Sequence, residues 1–148
     1  MIELPVDTLY SDDILHYAEK LQIPNFIGVF MSDELPANAL REESGVLNLQ
    51  RHTELGSHWT CWKKTKNDAW YFDSYGEPPD SGLKAHLGTK IKQSAITVQK
   101  DTSKECGSLC LFVLYYLSRG VDFSDILYTL QKRYRKKVQS PLVINTDS

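Results

Sequence analysis

The sequence predicts a fold that mixes α-helices with β-strands, and three observations carry that reading. Short apolar runs bounded by turn residues recur through the first hundred positions. Two of them, residues 58–63 and 69–73, are joined by the polar stretch KKTKND, as the strands of a hairpin would be. A run from Gly107 to Arg119 is apolar almost all round, the pattern of a helix covered on several sides.

The elements follow in order. Ser11 to Leu21 is predicted as an amphipathic helix: Ser11 can cap, Asp12 and Asp13 suit the positive end of the dipole, and Ile14, Ala18 and Leu21 share a face. Pro24 ends it. Phe26 to Met31 reads as a buried strand, and Asp33 to Glu43 as polar loop. Gly45 to Leu49 alternates weakly and is predicted as a strand. His58 to Lys63 places Trp59, Cys61 and Lys63 on one face and His58, Thr60 and Trp62 on the other. Ala69 to Asp73 is the second aromatic strand, and Tyr75 to Pro79 breaks the pattern. Ser81 to Leu87 reads as a short helix and Ile96 to Gln99 as a further strand. Gly120 closes the apolar helix. Phe123 to Lys137 is the final helix, with Ser124 as its cap. The segment 139–148 is expected to be a flexible tail on a single domain spanning 1–148.

The totals bound the function. A chain of 148 residues with 41% hydrophobic and 24% charged residues is an ordinary globular composition. A net charge of -2 argues against whole-molecule attraction to nucleic acid. The three cysteines, Cys61, Cys106 and Cys110, are too few and too irregular for a disulfide framework, and they lack the paired spacing of a zinc site. The first residues have no basic start followed by an apolar run. The longest apolar stretch, Leu109 to Leu117, is too short to span a bilayer. A soluble, intracellular, monomeric protein that needs no metal is expected.

Chemistry is concentrated around Cys106, where a loop becomes a helix. Free N–H groups and the positive dipole end favour a thiolate there. Gly107 follows, and a glycine early in a helix makes sense if another group approaches the backbone closely. An inert buried cysteine also fits that position. A nucleophilic cysteine needs a base within reach. Of the four histidines, His16 lies on the first helix, His52 in a charged segment and His86 in a polar helical one. His58 stands at a Gly56-Ser57 loop-to-strand junction, followed by Trp59, whose indole can wall a site. A strand histidine packed on aromatics is the plainer reading. Asp73 ends the neighbouring strand, where an unpaired carboxylate would be expensive and an imidazole would offset that. It also fits a turn cap before Ser74. Gln99, seven positions before Cys106, can donate into an oxyanion hole with the Cys106 N–H, or be polar surface.

The ordered set GSHW, YFDSYG and Q-x6-C-G-x-x-C resembles the adenovirus proteinase (adenain) family of cysteine proteases. Its nearest likeness is to adenain-like proteases of small eukaryotic DNA viruses and virus-like transposons. The segments GVFMSDELP, SGVLNLQRHTELGSHWTCW and VQKDTSKECGSLCLF carry it over nearly the whole chain. The resemblance implies an α+β fold in which a mixed sheet packs on the helix that starts at Cys106. It implies His58 as base, Asp73 as its orienter, Cys106 as nucleophile and Gln99 as oxyanion donor. It also implies a narrow cleft, with Trp59 as a wall, for viral capsid or core precursors cut at small or glycine-containing sites, and Gly107 is read with Trp59 as substrate-binding. The host nucleus and the virion are the implied locations. Asp73 stands where adenain has glutamate, and SUMO- and ubiquitin-like deconjugating proteases use Asp there. Adenain is longer and is stimulated by DNA and by a disulfide-linked peptide. Cys61 is a poor match for the peptide-linking cysteine, so such activation is open for this chain.

Other readings compete. An isopeptidase acting on ubiquitin-like conjugates would use the same chemistry. A protease-like binding module would use none. Cys106 and Cys110, one helical turn apart, could instead form a redox or metal pair, although other ligands are missing. The run Lys132, Arg133, Arg135, Lys136 and Lys137 suits contact with nucleic acid, or simply a solvated helix end with cations at the negative pole.

Overall fold

A computed structural model describes residues 1–49, 58–100, 103–136 and 140–146. The elements are β1 (Ile2–Glu3), α1 (Ser11–Lys20), β2 (Phe26–Met31), β3 (Glu43–Asn48), β4 (Trp59–Lys64), β5 (Ala69–Phe72), α2 (Ser81–Leu87), β6 (Ile91–Gln93), α3 (Cys106–Ser118), α4 (Phe123–Arg135) and β7 (Val143–Ile144). The α+β class is therefore as expected. The main sheet runs β2-β3-β4-β5-β6. The outer pairs β2–β3 and β5–β6 are parallel, and the inner pairs are antiparallel.

Strand alternation sorts the two faces. On one face Val46, Trp59, Cys61 and Phe72 join α3, α1 and α4 in the larger core. On the other, Leu47, Trp62, Ala69 and Tyr71 pack against Leu83 and Leu87 of α2. The sheet is covered on both sides, which is why α3 is apolar all round: Leu109 to Tyr115 are all buried between the sheet and the outer helices. No helix among the described residues is long and apolar enough to cross a membrane.

Several local expectations change. Tyr10, not Ser11, is the N-cap of α1, and its N–H donates to the Asp13 carboxylate at 2.8 Å. Asp122, not Ser124, precedes α4, which ends at Arg135. The last sheet strand is Ile91–Gln93 rather than Ile96–Gln99. Its polar Lys92 and Gln93 are exposed on the sheet edge and give no alternation to read. Residues 96–99 run beside the end of β5, where the Val98 N–H donates to Ser74 O at 2.8 Å without forming a ladder. β2 is half-buried throughout, as befits the other edge. The expected tail contains β7, which pairs antiparallel with β1 and buries Ile144 completely. His86 lies in α2, the short helix expected there, and is buried. Its Nδ1 lies 2.6 Å from Pro36 O and its Nε2 lies 2.8 Å from Glu43 Oε2, all in the α2-side core.

Candidate active site

Cys106 is the first residue of α3, and Glu105 before it occupies the N-cap without a side-chain cap bond. The helix start thus offers free N–H groups and its positive pole to the Cys106 thiol. The thiol is nearly buried, and Gly107 behind it is packed from the inside. A Cβ at Gly107 would sit 3.1 Å from Leu9 Cβ and 3.3 Å from Trp59 Cδ1. The groups that approach this glycine are therefore the chain's own. Trp59 is buried in the same contact, with its indole N–H donating to Leu9 O at 2.9 Å. It backs the site from within the core.

His58 stands one residue ahead of β4. The β4–β5 register pairs Cys61 with Phe72, so the start of one strand lies beside the end of the other. There His58 Nε2 meets Asp73 Oδ1 at 2.7 Å. A carboxylate oxygen accepts, so Nε2–H donates, and Nδ1 is left for the Cys106 side chain, whose interaction with His58 is among those that raise its pKa. Asp73 is fully buried. Its Oδ1 also accepts the Tyr75 N–H at 2.9 Å, whereas Oδ2 has no hydrogen-bond partner among the described residues. Burial alone lowers the His58 pKa. The hydrogen bonds to Asp73 and Cys106 and the charges they carry outweigh it and raise the value from 6.5 to about 9.

Gln99 is buried, and its amide is engaged at both ends. Its Oε1 accepts from Ser74 Oγ at 2.5 Å, and its Nε2 donates to Ser103 O at 2.9 Å. Ser74 follows the acid and Ser103 precedes Cys106 by three residues, so Gln99 bridges the two halves of the site. One amide hydrogen remains beyond the Ser103 bond.

The sequence reading missed Tyr75, whose ring stacks on His58 with centroids 4.8 Å apart. The signal was the turn Asp73-Ser74-Tyr75-Gly76. Gly76 has φ +78°, and a Cβ there would meet Ile96 O at 2.9 Å. Only a residue without a side chain closes this turn and swings Tyr75 over the imidazole.

The other cysteines have no such setting. Cys110 is fully buried, and burial followed by its contact with Cys61 pushes its thiol well above the usual value. Among the described residues no cluster of histidine, cysteine and acidic side chains could hold a metal ion. In the basic run, Lys132, Arg135 and Lys136 are exposed, with the Lys132 ammonium 5.0 Å from the Tyr128 ring centre. Arg133 is paired with Glu105. Lys137 and His52 lie outside the described residues. A cavity of about 630 Å³ between α3, α4 and residues 140–143 contains none of His58, Asp73, Gln99 and Cys106.

Solved structures share this architecture. The ASFV pS273R protease matches over 88% of this chain and 67% of its own, with a TM-score of 0.54 and 18% identity. The SUMO protease Ulp1, solved with its catalytic cysteine oxidized to a sulfinic acid, matches over 86% of this chain and 75% of its own, with a TM-score of 0.51 and 16% identity. The chain has the fold of these cysteine proteases. No protein-family model matches it. No curated protein sequence matches it either.

Proposed function

We propose that the chain is a cysteine protease with a Cys106–His58–Asp73 triad. One observation carries the reading: a single imidazole is bonded both to a buried carboxylate and to a thiol at a helix start. Nothing in packing alone requires that combination, and nucleophilic catalysis requires all of it. The shared fold supports the reading.

In this mechanism the proton of Cys106 resides on His58 and the thiolate attacks the scissile carbonyl. The Cys106 backbone N–H and the remaining Gln99 amide hydrogen receive the oxyanion. His58 then protonates the leaving amine, and water, activated by the neutral imidazole, hydrolyses the thioester. Asp73 holds the ring so that Nδ1 faces sulfur.

The substrate we infer is a viral or virus-like capsid or core precursor cut at a small-residue or glycine-containing site, within the host nucleus and the virion. The neighbouring viral protease favours this choice. The Asp at position 73 and the SUMO-protease neighbour favour a second reading, an isopeptidase for ubiquitin-like conjugates. No metal or organic cofactor enters the chemistry. Activation by a peptide, or by DNA held on the exposed Lys132, Arg135 and Lys136, is an additional proposal for a monomeric enzyme.

The test uses purified protein, its Cys106→Ala variant, a peptide library and vinyl-sulfone probes built on ubiquitin and SUMO, each with and without DNA. Cleavage of peptides and no labelling by the modifier probes supports the endopeptidase. Labelling of Cys106 by a modifier probe supports the isopeptidase. If Cys106 forms no adduct with any electrophilic peptide and nothing is cleaved, the enzyme reading falls and a binding module remains.

A further inference from the structure

One member of the basic run does not serve the surface. Arg133 Nη2 lies 2.8 Å from Glu105 Oε2, and the two side chains are only 14% and 9% exposed. The same nitrogen donates to Ser140 O at 2.9 Å. Glu105 directly precedes the nucleophile and leaves the helix start uncapped by its side chain. Its backbone N–H donates to Ser103 Oγ at 3.2 Å, and Ser103 O accepts from Gln99. The pair therefore terminates a chain of contacts that begins at Asp73 and Ser74.

This placement has an electrostatic consequence. A carboxylate held nearly out of water, one residue from Cys106, opposes the negative charge that Cys106 must develop. His58, paired with Asp73, faces Cys106 from the sheet side, Lys104 is next in the chain, and Arg133 reaches Glu105 from α4. Lys104 is exposed and screened, so Arg133 is the cation that cancels the carboxylate. We propose, on the basis of the cysteine-protease reading, that Arg133 is a positioning residue that acts through Glu105: it neutralises that carboxylate and fixes the entrance of α3, so that Cys106 ionises in register with His58. The α4 helix thereby supplies part of the active-site electrostatics without touching substrate.

The test measures iodoacetamide alkylation of Cys106 at pH 6 by mass spectrometry, alongside peptide cleavage, on the full chain. Cys61 and Cys110 are buried to 1% exposure or less and serve as internal controls. Arg133→Gln is expected to slow alkylation about tenfold, because the carboxylate it leaves uncancelled disfavours the negative sulfur. The double variant Glu105→Gln/Arg133→Gln is expected to return within about twofold of the wild type, because the opposing carboxylate is gone. A purely mechanical clamp predicts instead that the double variant is as slow as the single, and that result overturns the proposal. So does Arg133→Gln at the wild-type rate. If Arg133→Gln does not fold, Glu105→Gln alone decides: alkylation at or above the wild-type rate supports the proposal, and slower alkylation overturns it. The underlying reading fails separately, if wild-type Cys106 reacts at pH 6 no faster than free cysteine and His58→Ala changes nothing.

Discussion

At the scale of single residues, the His58–Asp73 contact decides how the site titrates. Asp73→Asn keeps the shape but removes the negative charge and puts an NH2 donor in place of one of the two acceptor oxygens that fix the His58 tautomer. We expect kcat to fall roughly 10²- to 10⁴-fold with little change in KM, measured by peptide hydrolysis. The raised pKa of His58 fixes the alkaline limb of activity: imidazolium is needed to protonate the leaving amine, so cleavage should decline as pH rises through about 9. The same shift is a stability statement. The folded value lies above the unfolded 6.5, so the contribution is complete below about pH 6.5 and lost as pH rises through about 9. Its size is on the order of 3 kcal/mol. Urea denaturation of wild type and His58→Ala at pH 6 and pH 10 checks it, since the gap between the two proteins should close at the higher pH. Equal gaps would show that His58 is not held as imidazolium.

At the scale of elements, the α2 side of the sheet is organised around a buried carboxylate. Glu43 accepts from Trp62 Nε1 at 2.7 Å, from Leu40 N at 2.7 Å and faces His86 at 2.8 Å. This binds the 36–43 loop, β4 and α2 together. Removing one partner leaves a buried charge poorly compensated, so His86→Ala should destabilise by about 3–5 kcal/mol, read from the urea midpoint. Gly45 opposes Trp62 in the register, and a Cβ there would lie 2.5 Å from Trp62 Cη2. The indole is pinned by Glu43, so Gly45→Ala should cost about 1–3 kcal/mol by the same measurement. What was legible in the sequence follows from these contacts. The aromatic hairpin and the apolar helix were readable because burial on two faces leaves dense apolar patterns. The strand β6 was not, because an exposed edge of Lys92 and Gln93 carries no pattern. The burial of His86 was not readable, because its partner is 43 residues away and no local signal points to it. The proposed triad of Cys106, His58 and Asp73 was visible as an ordered set, since each sits at an element end. Tyr75, Ser103 and Arg133 were not, because their roles exist only once the chain has closed on itself.

At the scale of the whole molecule, the two ends of the described chain converge on α3, the helix that starts at Cys106. β7 pairs with β1, and Leu4 N donates to Leu142 O at 2.8 Å. The segment leaving β1 then lies against α3: Ser108 Oγ donates to Pro5 O at 2.7 Å, and Leu9 packs on Gly107 and receives the Trp59 indole bond. The terminal ribbon is therefore a strap over the first turn of α3, where Cys106 sits. Two strands of two residues cannot hold by hydrogen bonds alone, and the side chains that anchor them are the buried Leu142 and Ile144. Ile144→Ala should destabilise by about 2–5 kcal/mol through the cavity it opens. Because the strap ends on Gly107 and Ser108, its loosening should also raise hydrogen exchange in the first turn of α3 more than in its last turn, and lower Cys106 alkylation in the variant that remains folded. Uniform exchange along α3 would mean that the ribbon stabilises the domain without reaching the site. A preferential response at the Cys106 end would make the terminal pairing, remote in sequence from the triad, part of what holds the thiol in place.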